Sequence, residues 1–447
     1  MRLGVNFNKI FSVCLLCLLA IKAEAKFIDV NSFQLENGLS VFVVENHRAP
    51  IVESRLFYKA GSLNDMTGKG GIAHLLEHMM FRGTKKVKDK EFNNIVEENG
   101  VKNNAYTTLD HTTYYEFMGI DKLDLMLALE ADRMKNLKID DEAFLKERDV
   151  VLQERKQRFE TNPSSLFYEN MNTLLWQDGK MANPVSGREK EIIGLTKEDA
   201  YEFYSRYYDV SNAILVLAGD ITLNQAQEVV GKYFGKLKSN GFDVIEDNES
   251  IKKINAKLEM KLKGINEPRY VKYIRLDKGF LSKREMLALS ILEEYLTGDD
   301  SAIMYDKLVY QDKKFLSVSV GGSYYPLSGG QVGISVVLSD KNMKVDEIGK
   351  IIDEALEWGY ENLDENKLEE IKNTYLSGAI YLADNVQNVA QFVGGMVMDG
   401  YSVDEIKNFD ELIKDISVDD VKNVFDKIFR GELSFVIGYL EGQDNEI

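Results

Sequence analysis

The stretch HLLEHMMFRG, residues 74–83, holds two of the four histidines in the chain, with a glutamate beside the second. On a helix, His74 and His78 stand one turn apart on one face, with Glu77 at the edge of that face. Two imidazoles so placed can share one divalent cation, and a neighbouring carboxylate can take a proton from a water there. The competing reading is an ordinary surface helix that happens to carry two imidazoles.

A catalytic zinc site needs a third protein ligand and an open position for water. The order His-x-x-Glu-His is also the inverted form of a zinc-hydrolase motif. The third ligand must come from elsewhere in the chain. His47 and His111 are the remaining histidines; His47, in ENHRAP, reads as a turn residue, and His111, in NAYTTLDHTTYY, as a possible support for the site. Further on, FLKERDVVLQERKQ places Glu147 and Glu154 seven residues apart, two helical turns, so both point the same way. His-His-Glu is a catalytic zinc set.

These residues need a helix around 71–80 and another from about 140 to 159 to hold them, and the hydrophobic periodicity supplies both. Around them, FQLENGLSVFVVEN, IVESRLFYKAG, TTYYEFMGI and NAILVLAGD read as strands. The second half repeats the order: RYVKYIRLD and GGQVGISVVLSD as strands, SKREMLALSILEEYL as a helix with a Ser282–Glu285 capping box, then long helices and a late strand. DEAFLKERDVVLQE, from Asp141, matches DENKLEEIKNTYLS, from Asp364. In that match Glu147 faces Glu370 and Glu154 faces Ser377, so the copy without the histidine pair also lacks the second glutamate. The fold expected is α+β, two homologous sandwich-like domains, each an antiparallel-rich sheet packed against helices. The boundaries expected are a leader at 1–25, a first domain at 26–238 with the metal site, a linker at 239–258 and a second domain at 259–447 without one.

The leader has a basic start, the apolar run FSVCLLCLLAI and Ala23-Glu24-Ala25 before Lys26, the three-part pattern of a secretory signal. Its apolar run is too short for a comfortable membrane span. Both cysteines lie in it, so the mature chain is expected to hold no disulfide and to keep no membrane insertion. The leader contains Arg2, Lys9, Lys22 and Glu24, so its removal takes the formal charge from −18 to −20. Such an acidic surface argues against nucleic acid as a partner.

The segments GLSVFVVEN, KAGSLND, GIAHLLEHMMFRGT, NAYTTLDHTTYY, ERDVVLQE and YYDVSNAILVLAGD together resemble the M16 family of zinc metallopeptidases, the inverzincins, and within it the half-length bacterial group similar to the subunits of the mitochondrial processing peptidase. The resemblance implies the M16 sandwich fold and one Zn2+ per chain, held by His74, His78 and Glu154. It implies Glu77 as the general base, Glu147 as a supporting carboxylate, and Asn104 and Ala105 on an edge strand that takes the main chain of a peptide or unfolded polypeptide. It also implies a zinc endopeptidase exported to the periplasm.

The second half departs from the family pattern. Where single-chain members carry an arginine and a tyrosine, MYDKLVYQDKKFLS has Val309 and Leu316, with Tyr310 and Lys313 nearby. This implies the zinc-bearing subunit of a heterodimer whose zinc-free M16 partner supplies the Arg/Tyr pair, or else a homodimer. The alternative is a non-catalytic binding or assembly subunit of the same fold.

Overall fold

A computed structural model describes residues 27–177, 179–241, 252–326 and 328–443, with backbone alone for 379–383. The leader with its cysteines and residues 242–251 of the expected linker lie outside the described residues.

The apolar, β-branched runs of the first half make strands β1 (Val30–Gln34), β2 (Ser40–Glu45) and β3 (Ile51–Tyr58). Helices α1 (Ile72–Met79) and α2 (Glu91–Glu98) follow, then the hairpin of β4 (Lys102–Thr107) and β5 (Thr112–Gly119). Helices α3 (Leu123–Asn136), α4 (Asp141–Thr161), α5 (Ser164–Trp176) and α6 (Lys197–Tyr207) lead to the wholly buried β6 (Ala213–Gly219) and then α7 (Leu223–Tyr233). The sheet order is β1-β2-β6-β3-β5-β4, with β2 and β6 parallel and the other neighbours antiparallel.

The second half contains β7 (Asn255–Leu262), β8 (Arg269–Leu276), α8 (Lys283–Thr297), β9 (Phe315–Tyr325) and β10 (Gly329–Leu338). It continues with α9 (Val345–Asn362), α10 (Glu365–Ala383), α11 (Val386–Met398), α12 (Val418–Phe425) and β11 (Phe435–Gly442). Its sheet order is β7-β11-β8-β10-β9, again with one parallel pair, β7 and β11. Strand for strand this is β2-β6-β3-β5-β4 of the first half, so the repeat read from the sequence is a repeat in space. Residues 255–258 of the expected linker already belong to β7, paired with β11.

The halves exchange one helix each. α5, which follows the long helix of the first half, packs on β7, β8 and β11 of the second sheet. Its counterpart α11 packs on β3 and β6 of the first. Glycines make the room: a Cβ on Gly394 of α11 would lie 2.1 Å from Phe57 Cζ, and one on Gly438 of β11 would lie 2.4 Å from both Phe167 Cζ and Met171 Sδ. Polar ties cross the same seams, Arg55 Nη1 donating to Gln391 Oε1 at 3.3 Å and Trp176 Nε1 to Gln331 Oε1 at 3.2 Å. Among the described residues, no helix is long and apolar enough to cross a membrane.

Candidate metal centre

Local structure around GIAHLLEHMMF sets the aim of α1. Gly71 precedes the helix with φ 89, and a Cβ there would lie 2.8 Å from Ser186 O. Glycine alone lets that turn sit against the 184–187 loop. The free amides at the helix start find Asp65, which accepts from Gly71 N at 2.7 Å and Ala73 N at 3.1 Å. Leu75, Leu76 and Met79 are fully buried, which leaves His74 and His78 together on the opposite side, ring centroids 4.9 Å apart.

α4 begins with Asp140 capping Glu142 N at 3.1 Å and buries Ala143, Phe144 and Val151. Glu147 and Glu154 fall between these residues on the same side of the helix, the side that faces α1. Glu154 Oε2 lies 3.8 Å from His74 Nε2 and 3.5 Å from His78 Nε2. Ligand atoms of His74, His78 and Glu154 all lie within 4.8 Å of one another, the one such group among the described residues. Tetrahedral zinc with bonds of 2.0–2.1 Å sets its donors about 3.3 Å apart, so the donor set fits that ion in type and stands somewhat wider than its bound spacing.

Glu147, two turns earlier, does not join the three. Its Oε2 lies 3.2 Å from His78 Nδ1 and its Oε1 lies 3.3 Å from Arg82 Nη1. Arg82 Nη2 in turn donates to Asp89 Oδ2 at 3.1 Å. Glu147 therefore grips the far nitrogen of His78 and leaves Nε2 turned toward Glu154, the arrangement in which an outer carboxylate fixes ring orientation and tautomer.

The two imidazoles differ electrically. Burial, then the nearby charges of His78 and Arg158, push His74 down to about 4, so it is a neutral ring at ordinary pH. Its Nδ1 is buried without a hydrogen-bond partner. Burial also acts to lower His78, but the bond to Glu147 and the charges of Glu154 and Glu77 outweigh it and raise that ring above its usual range. Glu77 is 8% exposed, and Thr107 Oγ1 donates to its Oε2 at 2.6 Å. Burial raises its carboxyl, while Thr107 and His78 hold it back.

Asn104 and Ala105 lie on β4, the last strand of its sheet, with no strand on its outer side among the described residues. Asn104 is exposed and its Oδ1 accepts from Ala105 N at 2.9 Å. His47 is a turn residue, its Nδ1 2.7 Å from Asp220 Oδ1. His111 does not belong to that group; its Nδ1 lies 2.7 Å from Asp110 Oδ1 and 3.1 Å from Thr108 Oγ1. In the second half Glu370 is exposed and pairs with Lys367, and Ser377 Oγ donates to Asn373 O, so α10 offers no ligand to α8. Val309 falls in the helical turn Asp306–Gln311; Leu316, near the start of β9, and Tyr310 are both about half exposed. Sequence reading did not single out Thr107 or Arg82, although both fall inside the family-like segments NAYTTLDHTTYY and GIAHLLEHMMFRGT.

The family model described as "Insulinase (Peptidase family M16)" matches residues 40–189, and "Peptidase M16 inactive domain" matches residues 194–375. The chain belongs to the M16 peptidase family. The first model covers every residue of this M16 site; the second covers most of the half without ligands. Among M16 relatives, the zinc protease PqqE of Helicobacter pylori is 27% identical over 91% of either chain. The mitochondrial-processing peptidase subunit beta of Rattus norvegicus is 29% identical over 45% of this chain and 41% of that one. The crystal structure of a protease from Helicobacter pylori, 25% identical, superposes with a TM-score of 0.83 over 93% of this chain and all of that one.

Proposed function

We propose that this M16 chain is a zinc-dependent endopeptidase acting on peptides or unfolded polypeptide segments. The observation that carries the reading is the convergence of His74, His78 and Glu154 from two helices, with Glu77 next to the second histidine in the chain. Zinc bound by those three side chains would supply Lewis acidity and a water acidified to about pH 7. Glu77 takes the proton of the attacking water and returns it to the leaving amine. Glu147 holds His78 in the ligating orientation. The free edge of β4, at Asn104 and Ala105, receives the substrate main chain as an added strand and brings a peptide carbonyl alongside Glu77.

The chain is proposed to be the metal-bearing member of a pair. Val309 and Leu316 stand where a gripping arginine and tyrosine would be, and the rat relative is named as one subunit of a peptidase. A zinc-free M16 chain carrying the Arg/Tyr pair would complete the cleft, a second copy of this chain being the other arrangement. The leader supports export, to the periplasm in a Gram-negative cell.

The decisive assay is a quenched peptide library incubated with the purified chain, alone and with the candidate partner, before and after chelation and zinc return. Cleavage that needs zinc and the partner is expected. Zinc-independent cleavage, or zinc binding with no cleavage under any pairing, would overturn the peptidase reading; full cleavage by the monomer would overturn the pairing.

A further inference from the structure

Thr107 is the one hydrogen-bond partner of the Glu77 carboxylate among the described residues, and the bond is short, 2.6 Å from Oγ1 to Oε2. The one alternative acceptor for that proton is Thr112 Oγ1, a neutral oxygen 3.4 Å away that donates its own proton to Ala60 O at 2.8 Å, so the shorter bond to the carboxylate prevails. Thr107 is itself fixed, since it faces Thr112 on the last rung of the β4–β5 ladder and the next residue's N–H donates to His111 O. A buried carboxylate with one anchored oxygen has its other oxygen free and its plane set.

We propose that Thr107 is a positioning residue for Glu77: its hydroxyl pins Oε2 and presents Oε1 for proton transfer. This rests on the reading of Glu77 as the base. It also joins two functions on one strand. Asn104 and Ala105, which offer the docking edge, lie three and two residues before Thr107 on β4. The strand that sets the register of a bound polypeptide is thus the strand that sets the angle of the base, so a shift of β4 moves both together.

The test is Thr107→Val, which replaces the hydroxyl by a methyl at nearly constant volume, with Thr107→Ala as a second deletion and Thr107→Ser as the rescue. All are assayed with the chain and partner that give wild-type cleavage, with zinc content and Tm measured on each. A hydrogen bond to a charged group carries about 10- to 100-fold in rate, so kcat should fall by about that factor in Val and Ala. KM, zinc content and Tm should stay near wild type, and Ser should recover most of kcat. In a Glu77→Gln background, Thr107→Val should add no further loss, as two groups acting as one unit do. Undiminished kcat in Val and Ala, a loss confined to KM, or failure of Ser to rescue would overturn the assignment while leaving Glu77 as the base. Turnover retained by Glu77→Gln alone would remove the base reading and this assignment with it.

Discussion

Glu147 Oε2 sits 3.2 Å from His78 Nδ1, on the side of the ring away from Glu154. A carboxylate there keeps the imidazole from rotating and adds electron density to the opposite nitrogen, the one proposed to hold zinc. Glu147→Gln should lower zinc affinity by about 10- to 100-fold, the usual cost of losing an outer partner of a metal-bound histidine. Competition with a zinc chelator measures it, and circular dichroism should show the fold unchanged. Equal affinities would leave Glu147 with no role at the metal.

Ligands and base are separable by substitution. Glu154→Ala and His74→Ala each leave two donors and should lose zinc on dialysis, read by metal analysis. Glu77→Gln should keep one zinc per chain yet lose turnover by at least about a hundredfold, the span attributed to general base catalysis. If Glu77→Gln released the metal, Glu77 would be a ligand and Glu154 would need another role.

The second half contains a buried acid whose titration can be read through stability. Burial pushes Glu293 up to about 7, against the N–H of Gly322 that donates to it, and its Oε1 is buried without a partner. The folded state therefore binds this proton more tightly than the unfolded chain does. The resulting stabilisation is complete below the unfolded value of about 4.5 and is lost as pH rises through about 7. Glu293→Gln should match the wild type's pH dependence less this slope. It should be the more stable protein at pH 8, by an amount on the order of 2 kcal/mol, relative to the comparison at pH 4. Denaturant titrations at the two pH values check the sign; parallel curves would contradict it.

Gly394 of α11 lies against Phe57 of β3, across the seam between the halves. Alanine is a better helix former than glycine by about 1 kcal/mol, so propensity alone predicts that Gly394→Ala stabilises α11. The Cβ would meet the buried Phe57 ring at 2.1 Å, and overpacking of this kind costs about 1–3 kcal/mol. A net fall in Tm is expected, smaller when Phe57→Leu first makes space. A rise in Tm would show that the ring yields freely.

Much of this centre is written locally. The spacing of His74, Glu77 and His78 and the seven-residue step from Glu147 to Glu154 are helix arithmetic, and α1 and α4 run within two residues of where periodicity puts them. Other parts depend on contacts that no local pattern encodes. SSLFYENMNTLLW is apolar enough to be a buried helix, but nothing in it says that Phe167 and Met171 will cover a strand more than 250 residues later. NAKL, at the end of the expected linker, is charged and polar at alternate positions, and with EMKL it becomes a strand only when β11 arrives beside it. Thr107 is an ordinary strand residue by type; its bond to Glu77 exists because α1 happens to cross that end of β4.

The crossed placement of α5 and α11 bears on why the ligand-free half is there at all. Split between residues 241 and 252, the chain would yield two fragments, each with an apolar sheet face bared and a helix with nowhere to lie. Neither fragment should be soluble alone, whereas the two produced together should reassemble. The second copy is thus a scaffold that the first sheet cannot shed: its α11 is the roof over β3 and β6, whatever chemistry it has or lacks.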